Sequence, residues 1–306
     1  MNKNKTNQTE KNMTAKVSCF ARAYHYRSNK EWIFADTLAE KVLGTDYDEI
    51  ATHMSSGISF FSPGFEGTKE EALRWIVDNQ LSPSVLGRSA FCERMLANEI
   101  RLGCRQYLIF GAGYDTFAYR NENENIRVFE LDRSEVLADK KIRLQAREID
   151  TSCAEYIDCD FERQDWRKML YQSSYDVDAK SFCSMLGLGY YMTKDGFENL
   201  LCQSVEMLSR GSVIVFDYPM SEGSVETRKN ERLAAAAGES MKSSYTYEEL
   251  EKMLERCGLL IYEHLDAKEM TKQYFEKYNT YYPERKMYAP KGVGYCLVSL
   301  TGKSGV

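Results

Sequence analysis

Short, continuous apolar runs alternate with longer segments of three- and four-residue apolar spacing along most of this chain. Tyr107-Leu-Ile-Phe110 is one such run, stopped by Gly111, and reads as a strand buried on both faces. Further strands are expected at 127–131 (ending on the acids Glu130 and Asp132), 155–160, 180–186, 212–217, 259–265 and 292–300. Between them lie helical patterns at 136–149, 165–171, 193–208, 246–257 and 267–274. Thr193 and Thr246 stand at N-caps, and Glu249 completes a capping box. An aromatic, basic connection spans 278–291. Ahead of the first strand the period is helical throughout. A helical stretch covers 15–52 with a stop at Gly44, a Gly/Ser/Phe-rich loop covers 53–67, and a second helical block runs over 68–103. Thr68 and Glu71 cap that block and Pro83 interrupts it.

Strands alternating with helices imply an α/β fold, here a Rossmann-like seven-stranded sheet, mostly parallel, with helices on both faces. Ligands of such sheets bind at the carboxyl ends of strands, near the switch in strand order. Gly111, Asp132, Asp160, Gly187 and Asp217 all stand at strand ends and would face one crevice. Residues 1–103 form an N-terminal helical cap that is integral to the domain, and residues 104–306 form the core. An excursion at 218–245, expected to be partly helical, follows the fifth strand.

The stretch Gln106–Asp132 carries the chemistry. Gly111-Ala-Gly113 lets the chain turn, and lets a ligand approach the backbone, where a side chain would clash. Glu130 and Asp132 follow Gly113 by 17 and 19 positions, close to the roughly 20 that places a carboxylate on ribose hydroxyls. A dinucleotide fingerprint needs a third glycine at position 116, where this chain has Thr116. That argues against a nicotinamide-dependent oxidoreductase. A nucleoside ligand without phosphates, such as S-adenosylmethionine, fits better.

Composition narrows the classes further. With 306 residues, 43% hydrophobic and 28% charged, the chain is an ordinary globular one. Its net charge of −6 suggests no nucleic-acid partner. The polar start has no apolar core of a signal peptide, the first dozen residues read as a disordered tail, and no apolar window is long enough to span a membrane. Nine scattered cysteines with no C-x-x-C pair read as small buried hydrophobes and point to a reducing, cytoplasmic setting. With three histidines spread widely, no metal site is expected.

The segments GRSAFCERML, GAGYDTFAYR, FELD and DCDFERQDW resemble the leucine carboxyl methyltransferase family, which includes protein-phosphatase carboxyl methyltransferases and bacterial O-methyltransferases of polyketide-like pathways. The likeness runs from RAYHYR…FADTLAEKVL to the last strand. It implies a class I, S-adenosylmethionine-dependent enzyme. By the same likeness Arg88 binds the donor carboxylate, Gly111 and Gly113 form the turn, Asp132 with Glu130 beside it takes the ribose, and Asp160 and Phe161 flank the adenine. The family commonly has Glu-Gly after the fourth strand, where this chain has Leu186-Gly187. The loss of that acid makes phosphatase-type specificity less expected and points to backbone groups near Gly187 for the methionine end.

The expected reaction is methyl transfer to a carboxylate or hydroxyl oxygen of a small, polyketide-like acceptor, by a monomer or homodimer. Protein C-terminal carboxyl methylation, or S-adenosylmethionine binding without catalysis, are the alternatives. No catalytic residue is assigned; His25, Tyr191 and Tyr218 are weak candidates, since each reads more simply as a packing residue.

Overall fold

The computed structural model describes residues 12–163, 165–221 and 241–300. Seven strands form one sheet: β1 (Gln106–Phe110), β2 (Arg127–Asp132), β3 (Glu155–Asp158), β4 (Ser181–Met185), β5 (Val213–Pro219), β6 (Leu259–Leu265) and β7 (Val293–Leu300). Their spatial order is β3-β2-β1-β4-β5-β7-β6. Every pairing among β1 to β5 is parallel, and β7 runs antiparallel between β5 and β6. From β1 the chain moves outward to β3, then returns to β4 on the other side. The gap above β1 and β4 is therefore the switch point.

Strand alternation explains the continuous apolar runs. Tyr107, Ile109, Phe182, Val213 and Val215 enter one core, while Leu108, Phe110, Cys183, Met185, Ile214 and Phe216 enter another on the opposite face. A sheet covered on both sides has no solvent face on which to place polar residues. The helix Ser82–Arg101 packs against β4, β5 and β7. Helices Lys194–Met207 and Tyr247–Arg256 pack on each other, and the latter lies against β6. A third core, with Phe20, Tyr24, Val42, Leu43 and Tyr47, binds the N-terminal helices together.

Expected caps appear where the sequence signals them. Thr68 and Glu71 form a reciprocal box, as do Thr246 and Glu249, and Thr193 caps its helix. Gly44 ends a helix with a positive φ of 58°.

Other expectations need correction. The 15–52 stretch is three helices, Met13–Ser28, Ala39–Leu43 and Asp46–Ser56; an irregular segment ends where the Asp36 carboxylate accepts the Leu38 and Ala39 N–H groups, and a turn at Gly44-Thr45 parts the last two. The expected loop at 53–67 begins as helix and includes the turn Ile58–Phe61. Pro83 does not interrupt its block. A π-helical turn at Val77–Leu81 carries the chain from Lys69–Ile76 into Ser82–Arg101, and Pro83 falls in the first turn, where no backbone donor is required. A second π-helical turn, Thr271–Phe275, extends helical structure to Tyr281, into the expected 278–291 connection. The cysteines are not all unpaired. Cys202 and Cys257 form a disulfide across the two packed helices, a proximity that 55 positions of sequence separation conceal. The other seven are free, and all but Cys153 are buried, as small hydrophobes are. The first eleven residues and residues 222–240 of the excursion lie outside the described residues. Among the described residues no helix is long and apolar enough to cross a membrane.

Candidate active site

At the switch point the chain encloses a cavity of about 990 Å³. The ends of β1, β2 and β4 form its floor through Gly111, Gly113, Asp132 and Gly187. Arg88, Asp160, Phe161 and Tyr191 also line it, so eight of the sequence-selected residues meet there. Gly111, Gly113 and Gly187 have φ of 68°, 48° and 66°, backbone that favours glycine. The turn at Gly113 is held from below, because the Asp132 Oδ2 accepts the Gly113 N–H at 2.7 Å while Oδ1 accepts the Arg133 N–H at 2.8 Å. Burial pushes the Asp132 carboxyl above the usual carboxylate range, and these two backbone donors oppose the shift. Each oxygen keeps acceptor capacity for a further donor. Phe161 stacks near Phe110, with ring centroids 5.5 Å apart.

The end of β4 is organised from the neighbouring strand. Met185 pairs with Phe216, so Leu186 and Asp217 come next in register. Asp217 is fully buried. Its Oδ1 accepts the Gly187 N–H at 2.6 Å, and its Oδ2 accepts the Tyr190 hydroxyl at 3.0 Å and lies 3.5 Å from the Arg88 Nη1. Arg88 also donates to Ser18 at 3.2 Å. A methyl group on Gly187 would come within 2.7 Å of the Arg88 Nη1, so the glycine makes room for the guanidinium. An acid thus stands one strand away from position 186, but it is buried beneath the cavity wall and holds protein groups. Sequence reading noted Asp217 only as a strand end.

A second network ties the cap to the glycine turn. Arg22, which lines the cavity, donates to the Tyr114 carbonyl at 2.7 Å and to the Asp36 Oδ2 at 2.8 Å. The Asp36 Oδ1 accepts the Thr116 hydroxyl at 2.7 Å, and Arg120 donates to the Thr116 oxygen at 2.8 Å. Burial alone would raise the Asp36 carboxyl; the Arg22 and Arg120 charges outweigh it and hold the group below its ordinary range. Position 116, where a dinucleotide site needs glycine, is here a buried link to the cap. Neither Arg22 nor Asp36 stood out in the sequence, because their partners lie up to 92 positions away.

Three sequence candidates lie elsewhere. Glu130 is fully buried against Lys140, 2.7 Å away, and accepts the Tyr119 hydroxyl at 3.2 Å; it is absent from the cavity wall. The ribose pairing expected of Glu130 beside Asp132 therefore does not form in the cavity. Tyr218 is buried beneath β7 with its hydroxyl 2.9 Å from the His264 Nε2. His25 is fully buried under the cap, where its Nε2 accepts the Ile33 N–H at 3.0 Å. That lone pair is engaged, and burial with the nearby Arg285 charge lowers its pKa to about 3.

The leucine carboxyl methyltransferase family model matches residues 15–205. The chain belongs to this family. Among its relatives is YktD of Bacillus subtilis (strain 168), named as an S-adenosyl-L-methionine-dependent methyltransferase. The two are 35% identical over 284 residues, which cover 88% of this chain and 92% of that protein. A relative of the same description in Saccharopolyspora erythraea is 30% identical over 140 residues, 45% of this chain and 49% of that one. The crystal structure of a DUF574 family protein from Streptomyces avermitilis superposes with a TM-score of 0.58 at 15% identity, covering 94% of this chain and 97% of that one. A structure described as a methyltransferase from Thermobifida fusca gives 0.52 at 16% identity, covering 94% and 93%. These structures share the fold, and the methyltransferase has the class I sheet.

The His25 environment sets a pH dependence. Its folded pKa lies below the unfolded 6.5, so protons bind preferentially to the unfolded chain and the stabilisation present above pH 6.5 is lost as pH falls. Urea unfolding at pH 7 and pH 5 should show a loss larger by about 2 kcal/mol in the wild type than in His25→Gln. Equal losses in the two proteins would contradict this placement of His25.

Proposed function

We propose that this S-adenosylmethionine-dependent methyltransferase acts on a carboxylate or hydroxyl oxygen of a small, polyketide-like molecule. The observation that carries the reading is the cavity of about 990 Å³, floored by strand ends and roofed by the cap. That is the upper end of the roughly 300–1,000 Å³ of small-molecule sites, space for a donor and a compact acceptor side by side.

The residues present fit the donor. Asp132, fixed by two backbone N–H groups, faces the cavity with acceptor capacity for ribose hydroxyls. Asp160 and Phe161 flank the adenine, and Gly111 and Gly113 let the nucleoside approach the main chain. Arg88 presents a guanidinium to the donor carboxylate, with Gly187 clearing space beneath it. S-Adenosylmethionine supplies a methyl group on a sulfonium sulfur, which leaves as a neutral thioether and needs no protonation.

The chain's own task is then to orient the acceptor oxygen and exclude water, and orientation can supply roughly 7–11 kcal/mol of barrier reduction. A carboxylate acceptor arrives ionised and needs no base, whereas a hydroxyl acceptor releases its proton to water as its oxygen takes the methyl group. His25 and Tyr218 have no such role, since neither lines the cavity. Tyr191 does line it and remains the candidate to contact the acceptor.

Arg88→Ala and Asp132→Ala should each weaken S-adenosylmethionine binding in calorimetry at least ~tenfold, about 1.4 kcal/mol. Wild-type affinity in both variants would remove the assignment of these residues. With radiolabelled methyl donor, label should pass to aromatic carboxylic acids or phenols and not to a peptide with a C-terminal leucine. Transfer to the peptide alone would instead support protein carboxyl methylation.

A further inference from the structure

One wall of the cavity comes from a single helical stripe. Gln80, Leu81, Ser84, Val85 and Arg88 all line it, at spacings of three and four. Gln80 belongs to the π-helical turn Val77–Leu81, and Arg88 lies two turns further on, about 12 Å along the axis. Wide turns of this kind break helix regularity and occur frequently at functional sites. Gln80 therefore lines the cavity well away from the Arg88 guanidinium, and it comes from the cap and not from the strand ends that carry Asp132 and Asp160.

The Gln80 carboxamide oxygen is buried and accepts no hydrogen bond. An unmet buried polar group costs about 1–3 kcal/mol. Met54, Phe61, Ile76, Leu81 and Val85 give the cap's share of the wall an apolar stretch around Gln80, with Asn12, Thr14 and Ser18 contributed by the first helix and the residue before it. Of the cap's two charged members, Arg22 is committed to Asp36 and the Tyr114 carbonyl, and Arg88 stands two turns from Gln80 beside Asp217. His53 sits exposed at the rim. Around Gln80 the helical stripe therefore offers a neutral hydrogen-bonding edge, since its neighbours Ile76, Leu81, Ser84 and Val85 carry no charge.

We infer that Gln80 determines acceptor specificity, by hydrogen bonding a second, uncharged polar group of a largely apolar, ring-bodied acceptor at the end remote from the methylated oxygen. A carboxamide can donate to or accept from such a group, whereas an ionised group there would be desolvated without a partner. The inference rests on the small-molecule O-methyl transfer proposed above.

Two probes separate the claims: 2-naphthol, with one oxygen, and 2,7-dihydroxynaphthalene, which adds a remote hydroxyl. The wild type should favour the diol in kcat/KM by at least ~tenfold. Gln80→Leu should abolish that preference, lowering kcat/KM on the diol relative to 2-naphthol at least ~tenfold while S-adenosylmethionine affinity holds. Gln80→Met should behave alike and checks that the effect is not one of shape. A preference retained in both variants, or equal losses on both probes, overturns the role of Gln80 while leaving the methyltransfer reading intact. Donor binding by the wild type with no methylation of either probe overturns the acceptor class itself.

Discussion

The buried carboxylate of Asp217 is the interaction on which the corner of the cavity at Arg88 and Gly187 depends. A charge with no solvent exposure must be met by donors, and here three elements supply them: the Gly187 N–H after β4, the Tyr190 hydroxyl, and the Arg88 guanidinium from the helix Ser82–Arg101. One acid therefore fixes the turn after β4, places a tyrosine, and holds an arginine over a glycine. Breaking such a pair by removing one partner strands the other charge, at roughly 3–5 kcal/mol. That linkage makes the helix before the first strand part of the binding site and not an appendage to it.

The same logic repeats on the other side of the switch point. Asp36 gathers Arg22, Thr116, Arg120 and two backbone N–H groups. Arg22 in turn grips the carbonyl of Tyr114, inside the glycine turn. Asp132 fixes the other limb of that turn through the Gly113 N–H. The turn is thus held by β2 below and by the cap above, both through carboxylates that are largely removed from water. Preorganisation of this kind spares a ligand the cost of ordering the loop.

What the sequence revealed follows from the range of the interactions concerned. All seven strands were legible because two-sided burial leaves apolar runs that glycine and acids punctuate, as at Tyr107–Phe110 and Gly111. Capping boxes at Thr68 and Thr246 are local by nature, and so is the glycine turn. Other features depend on packing that a local pattern does not show. Glu130 looked like a ribose ligand until Lys140 appeared beside it, and His25 looked like a base until Ile33 took its lone pair. Asp217, Asp36 and Arg22 carry no motif, since each acts through contacts between segments far apart in the chain. Cys202 and Cys257 meet because two helices pack together. The π-helical turns have no sequence signature of their own, so Pro83 read as a break.

The central claim is that Arg88, held by Asp217, and Asp132, held by Gly113, receive the two ends of one donor molecule. A crystal structure with S-adenosylhomocysteine tests it most directly. The account predicts ribose hydroxyls on the Asp132 carboxylate and the amino-acid carboxylate on Arg88, with the Asp217–Gly187 hydrogen bond intact. A ligand bound away from Asp132, or one whose carboxylate leaves Arg88 untouched, would contradict it.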